Sequence, residues 1–231
     1  VEQGLAILRS SGLLGDVLPQ SETWSDDAWS HAVASAAAAP ATHTVRLASL
    51  LHAGSIGQGP GAASEWARGA LQRLRLSNKL TDDVAALIRS HGCVLEPPAD
   101  EKLDPVPPHA AQPDDPGIRR WLRALDPERL EDLLGLWEAD AAAAGRTKAI
   151  HSRALTQLRK RIAKVLAEEP PLDMGDLALD GQAIMTALEL QPGPEVGKAM
   201  RYLLERVLDE PKLNTRSGLI DALRGWQNDQ T

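Results

Sequence analysis

An all-α fold is the class this sequence predicts, and three observations predict it. The 231 residues include no Phe and one Tyr, so the core must come from Leu, Ala, Val and Ile, a mixture that favours helices over sheets. Apolar residues recur at helical spacing in segment after segment, while no period-2 alternation and no repeat of fixed length is found. Prolines and N-cap residues mark starts and stops between those segments. The architecture expected is a multi-helix array in two helical parts joined by a Pro-rich linker.

Taken in order, residues 1–18 read as one helix, with Leu5, Ile7 and Leu8 on one side and Pro19 ending it. Residues 26–39 are Ala-rich, with Pro40 as the stop. Residues 42–52 place Val45, Ala48 (or Ser49) and Leu51–His52 at helical spacing. A Gly-rich loop follows from Ala53 to Gly61, then helical patterns at 62–76 and 81–90. Residues 96–117 hold seven prolines in 22 positions, a stretch that cannot sustain helix or bury much surface. This sets a first part at 1–95, a linker at 96–117 and a second part at 118–231.

The second part opens with a short helix at 118–125. Asp126 as N-cap, Pro127 at the first helical position and Glu128 at the positive end then start another. Its apolar face is Leu130, Leu133, Leu134 and Trp137. Further helices are expected at 146–168, stopping before Pro170–Pro171, and at 180–190, 194–209 and 214–226.

Bulk properties exclude some classes. The net charge of −7 argues against a chain that binds nucleic acid over its whole surface. The single Cys93 excludes an internal disulfide and an all-Cys metal site. It fits a reducing, cytoplasmic setting. No apolar run approaches a membrane span, and no signal peptide is present. Val1 falls inside a helical pattern, so the start reads as a cut point in something longer.

Charge is unevenly spread. Residues 146–164 carry seven Lys or Arg and no acid, leaving −14 for the other 212 residues. On a helical wheel Leu155, Leu158, Ile162, Val165 and Leu166 cluster, and Arg146, Arg153, Lys160 and Lys164 gather on roughly the opposite side. Such a cationic stripe can track phosphates, each neutralised phosphate releasing a counterion. It can also be a solvated face answering acids elsewhere, although solvated helices ordinarily mix signs.

The segment LQPGPEVGKAM around Gly193 feeds a rigid Pro-Gly-Pro turn into a helix start. Val196, Met200, Leu203, Leu204 and Val207 should be buried, with Lys198, Arg201 and Glu205 facing solvent. Free backbone N–H groups at such a start suit a phosphate. Equally, the turn can serve only to reverse the chain, and Glu195 competes for the same positive end.

These tail residues resemble the C-terminal signature of bacterial CCA-adding enzymes and poly(A) polymerases. That family's pattern is Gly-x-Asp-Leu-Met, then Pro-Gly-Pro-x-x-Gly, Leu-Leu-x-x-Val-Leu and Asn-x-x. Here stand Gly181, Ile184 and Met185, then Pro192–Gly193–Pro194 and Gly197, Leu203–Leu204 and Val207–Leu208, and Asn214–Thr215–Arg216. Ala183 departs from the family's usual Asp. The run at 119–145 is similar to the family's helical body, and GLAILRSSGLLGDVLP to the helix pair after its neck. The resemblance implies helices that hold the acceptor arm of tRNA, or another RNA 3′ end. On that basis Arg146, Arg153, Lys160, Lys164, Gly193, Lys198 and Arg201 are the expected RNA-binding residues. No catalytic residues are expected within the chain. Magnesium and nucleotide belong with a nucleotidyltransferase head, a possible partner, whose paired carboxylates have no counterpart here.

Some members of the family also carry an HD-type metal phosphohydrolase domain, marked by Leu-Leu-His-Asp-x-Gly-Lys. The matching run here is Leu50–Leu51–His52–Ala53–Gly54–Ser55–Ile56–Gly57. Ala53 can neither ligate metal nor activate water. The resemblance thus implies a degenerate HD-like scaffold over 1–95 that has lost hydrolysis, with His43, His52 and His91 as remnants and no resident metal. Two other readings stand beside RNA holding: a phosphohydrolase remnant, and a helical protein-interaction scaffold without RNA binding.

Overall fold

In a computed structural model of the protein, which describes residues 1–52, 60–92, 114–143 and 148–228, the described residues form helices and no strand. The Gly-rich segment 53–59, the Pro-rich segment as far as residue 113, Ala53, Cys93 and Arg146 lie outside the described residues. The elements are α1 (Glu2–Ser10), α2 (Leu13–Val17), α3 (Asp26–Ala38), α4 (His43–Leu51), α5 (Pro60–Arg73), α6 (Asn78–Gly92), α7 (Asp115–Ala124), α8 (Leu130–Ala143), α9 (Lys148–Ala167), α10 (Gly181–Leu188), α11 (Pro194–Asp209) and α12 (Arg216–Asn228). No described helix is long and apolar enough to cross a membrane.

The chain divides into two compact units. One comprises Val1–Gln112 with Leu125–Arg159, and the other Pro113–Ala124 with Lys160–Thr231. The stretch 118–231 is therefore shared between both units.

In the first unit α3, α4, α6 and α8 pack on one another. Their facing positions are largely small: Ala32, Ser35, Ala36, Ala48, Ser49, Ala85 and Ala139 are all buried. Small side chains let helix axes approach closely. Gly135 on α8 shows how closely: a Cβ there would lie 3.0 Å from Cγ of Pro40, in the α3–α4 turn. Ser25 caps α3 by accepting from the Ala28 N–H at 3.1 Å, and Thr42 caps α4 by accepting from the Val45 N–H at 3.3 Å. Leu133, Leu134, Leu136 and Trp137 fill the space the small residues leave.

One expected helix is two. The apolar spacing over 1–18 runs on without a gap, but Gly12 takes the left-handed conformation at φ 78° and separates α1 from α2. Glycine alone enters that region without steric cost. Pro127 likewise starts a short 3-10 turn, Pro127–Arg129, before α8 begins. Asp126 accepts there from the Glu128 N–H at 3.1 Å.

The second unit is built around leucine. Leu179, Ile184, Leu188, Leu203, Leu204, Val207, Leu208, Leu219 and Leu223 form one core, with Ala199 among them. Val196 and Met200 are only partly buried against it. Lys198, Arg201 and Glu205 are exposed, as their spacing on α11 predicts. Asn214 ties two loops together: its Oδ1 accepts from the Ala178 N–H at 2.8 Å and its Nδ2 donates to the Asp176 carbonyl at 2.9 Å. On α9 Leu155, Leu158, Ile162 and Val165 are buried as expected, but Leu166 is 41 % exposed. It sits at the margin of the stripe, in the last turn of the helix, where little packs over it.

Candidate metal centre and basic faces

Four helices of the first unit bring three imidazoles and a carboxylate together. His31 lies on α3, His52 directly follows α4, His91 ends α6 and Asp140 lies in the last turn of α8. Nε2 of His31 is 2.8 Å from Oδ1 of Asp140, and Nε2 of His52 is 3.2 Å from the same oxygen. The two Nε2 atoms are 3.2 Å apart. Nε2 of His91 approaches the other oxygen, Oδ2, at 3.4 Å. It is buried there with no aligned hydrogen bond. The rings also pack, with His52 at 5.3 Å from His31 and 4.9 Å from His91 between centroids. The side chains retain small exposures, 23 % for His31 and 19 % for Asp140.

The backbone fixes the His52 ring: its Nδ1–H donates to the Ser49 carbonyl at 2.7 Å. His31 also bonds the Ala143 backbone. These contacts leave the Nε2 atoms turned toward Asp140. Burial opposes ionisation of Asp140, but the imidazoles around it override burial and hold its carboxyl far below the ordinary carboxylate range. The hydrogen bond to Asp140 raises the His31 imidazole against the effect of burial. At His91 burial dominates and lowers the imidazole, despite the nearby carboxylate. Chemically this is a compact polar cluster able to share a proton or to hold a cation.

Two of the three histidines singled out from sequence, His52 and His91, join this cluster. His43 does not: it is exposed in the first turn of α4. Sequence reasoning missed His31 and Asp140. A signal existed for Asp140, since it follows Leu133 by seven residues and Leu136 by four, which places an acid on the buried face of an otherwise apolar helix. His31 carries a weaker signal, next to Ala32 and one turn before Ser35, both buried.

The expected basic residues have different surroundings. In the first unit Arg153 is exposed and makes no ion pair among the described residues. Arg159, further along the same helix, is paired with Glu131 at 3.1 Å and Glu138 at 3.2 Å. In the second unit Lys160 and Arg201 are exposed, again without an ion pair among the described residues. Lys164 is tied to Asp115 at 3.2 Å and Glu168 at 3.8 Å, beside an Arg161–Asp115 pair at 2.7 Å. Lys198 pairs with Glu195 at 2.7 Å. Gly193 is the extended N-cap of α11. The acid-free island is thus partly answered by acids from other helices.

One comparison with known proteins bears on these features. The chain is 34 % identical over 143 residues to the CC-adding tRNA nucleotidyltransferase of Thermus thermophilus. It is similar to a tRNA nucleotidyltransferase. The match covers 62 % of this chain and 27 % of the relative, so the chain spans about a quarter of the relative's length. No family model matches the chain, and no solved structure matches it.

Proposed function

We propose that this chain is the RNA-holding helical region of a tRNA nucleotidyltransferase-type protein. It would grip the acceptor end of tRNA, or another RNA 3′ end, while nucleotidyl transfer resides in a head outside these residues, together with its magnesium and nucleotide. The observation that carries the reading is the 143-residue match to the CC-adding tRNA nucleotidyltransferase. The exposed cations Arg153, Lys160 and Arg201, unpaired among the described residues, support it, because they can approach phosphates without first breaking an ion pair. Arg146, Lys164, Gly193 and Lys198 complete the proposed contact set.

Fluorescence anisotropy with labelled tRNA over a salt series tests this. Binding should weaken linearly on a log–log plot, and each lost phosphate contact should reduce the slope by about 0.9. R153E and K160E together should therefore flatten it by roughly 2. A chain that binds no tRNA at low salt, yet captures a separately made head domain, would replace this reading with a scaffold role.

A further inference from the structure

We propose that the groove between α10 and α12 binds one nucleotide of an RNA strand, with the Arg216 guanidinium on its phosphate and the Asp180 carboxylate on its 2′-hydroxyl. The inference deepens the RNA-holding reading and rests on it. It adds a built site to a contact set otherwise made of single cations.

Construction is the first argument. Asp180, Gln182, Ala183 and Thr186, from α10 and its cap, meet Arg216 and Ile220 of α12 around an open groove of about 410 Å³. Ligand sites run from about 300 to 1,000 Å³, so the space suits one nucleotide and not a folded partner. The floor is apolar, since Ala183 and Ile220 lie partly buried against the leucine core. Asn214 holds the two helix starts in register through its bonds to the Ala178 N–H at 2.8 Å and the Asp176 carbonyl at 2.9 Å. The walls are thus set before a ligand arrives, which reduces the ordering cost of binding.

Charge is the second. Arg216 opens α12, is exposed, and makes no ion pair among the described residues. The first turn of α12 contains no acid, so the positive helix end adds to the guanidinium. Lys164 and Lys198 differ, each being held by a carboxylate. A phosphate at Arg216 displaces no such partner.

Acceptors on the same groove provide the third. Oδ1 of Asp180 accepts from the Ala183 N–H at 2.8 Å, capping α10. An ionised carboxylate has acceptor sites beyond that one. Thr186 donates its hydroxyl proton to the Gln182 carbonyl at 3.0 Å, which leaves its oxygen as a further acceptor. A carboxylate in the groove repels a doubly charged free phosphate but accepts from a sugar hydroxyl. One cation, hydroxyl acceptors and an apolar floor therefore match a phosphodiester with its ribose better than an inorganic anion. The 2′-hydroxyl is also the group by which a protein tells RNA from DNA.

The test titrates the whole chain against labelled tRNA, and against RNA and DNA oligonucleotides of one sequence, with the helix content of each variant checked by circular dichroism. R216Q should weaken tRNA binding roughly tenfold and reduce the salt slope by about 0.9. A183D sets a carboxylate in the groove with Arg216 and should weaken binding by a similar factor. The two changes together should lose little more than either alone, because they act on one site. D180N keeps the cap, since Asn serves there as well as Asp, and should shrink the preference for RNA over DNA. If the chain binds tRNA but R216Q and A183D leave affinity and slope unchanged, this site is overturned while RNA holding stands. If the unaltered chain binds no tRNA at low salt, both fall. Arg216-dependent binding of adenosine 5′-monophosphate, with tRNA binding indifferent to R216Q, would overturn the RNA strand as the source of the phosphate. An unchanged RNA preference in D180N would overturn the role of Asp180.

Discussion

The two units solve the same packing problem with different materials. The first brings α3, α4, α6 and α8 together across alanines and serines, and places a cluster of His31, His52, His91 and Asp140 among them. The second closes α10, α11 and α12 around leucines and keeps polar pins such as Asn214 at its edge. Close helix approach leaves room for directed polar chemistry, because short side chains bring backbones and ring nitrogens within bonding distance. A leucine core stabilises through apolar area and leaves its chemistry to the surface.

The same substitution in each unit tests this contrast most strongly. Leu133 and Leu203 are both fully buried. Truncating either to Ala should cost about 2–5 kcal/mol, scaling with the cavity that remains. Around Leu203, flexible neighbours such as Met200 can move inward. In the first unit the alanines have no atoms to spare. L133A should therefore sit near the top of that range and L203A nearer the bottom. Urea unfolding midpoints of the two variants check the order, and an inverted order would break the comparison.

Arg119 gives the next largest effect, and it qualifies the picture of an apolar second unit. This arginine on α7 is buried, and its Nη1 donates to the Leu208 carbonyl at 2.8 Å, at the end of α11. Glu168 lies 3.6 Å away. A charged donor at helix-terminal carbonyls satisfies groups the helix itself cannot. R119M keeps much of the stem's packing but orphans the carbonyl, so a loss of about 1.5–3 kcal/mol is expected, read from the same midpoints. A neutral result would mean that Arg120, which pairs with Glu205 at 2.9 Å and Asp209 at 2.7 Å, holds α7 on α11 alone.

Legibility in the sequence divides along similar lines. In the second unit α11 is readable to the residue, since Pro194 starts it where a proline fits and the Leu203, Leu204 and Val207 face follows at one period, whereas α7 begins at Asp115, inside the stretch read as linker, because Pro116 falls in its first turn, where a proline is tolerated. The break at Gly12 is not, because apolar spacing carries no record of φ. The helix class is plain, but the candidate site is half visible. His52 stands out through its neighbours Leu50 and Leu51, and His91 through its place at a helix end. His31 and Asp140 are 109 positions apart, and only the packing of α3 on α8 makes them partners. Periodicity says which face is buried, not which helix will cover it. The basic island is likewise readable as charge, but its pairing is not. Asp115 and Glu131, which answer Arg161, Lys164 and Arg159, come from distant segments.

That pairing sets the smallest prediction, one of pH. Hydrogen bonds from Arg161 hold the Asp115 carboxyl below its ordinary value, against a modest cost of burial and with help from Lys164. A carboxyl lowered by folding contributes stability that is complete above its unfolded value and is lost as pH falls through the folded one. Asp115 should therefore support the second unit at neutral pH and release it in the acid range, below about pH 4. Its side chain is a quarter exposed, at 26 %, so screening limits the contribution to about 1 kcal/mol or less. D115N should lower the melting temperature slightly at neutral pH, and the two melting curves should converge as pH falls from about 5 to 2. A difference that stays constant across that range would assign the role of Asp115 to the start of α7, where its backbone also begins the helix, and not to the cations of α9. The comparison would then sharpen in the other direction, with Arg161 on α9 owing nothing to Asp115 and its charge available to a phosphate backbone.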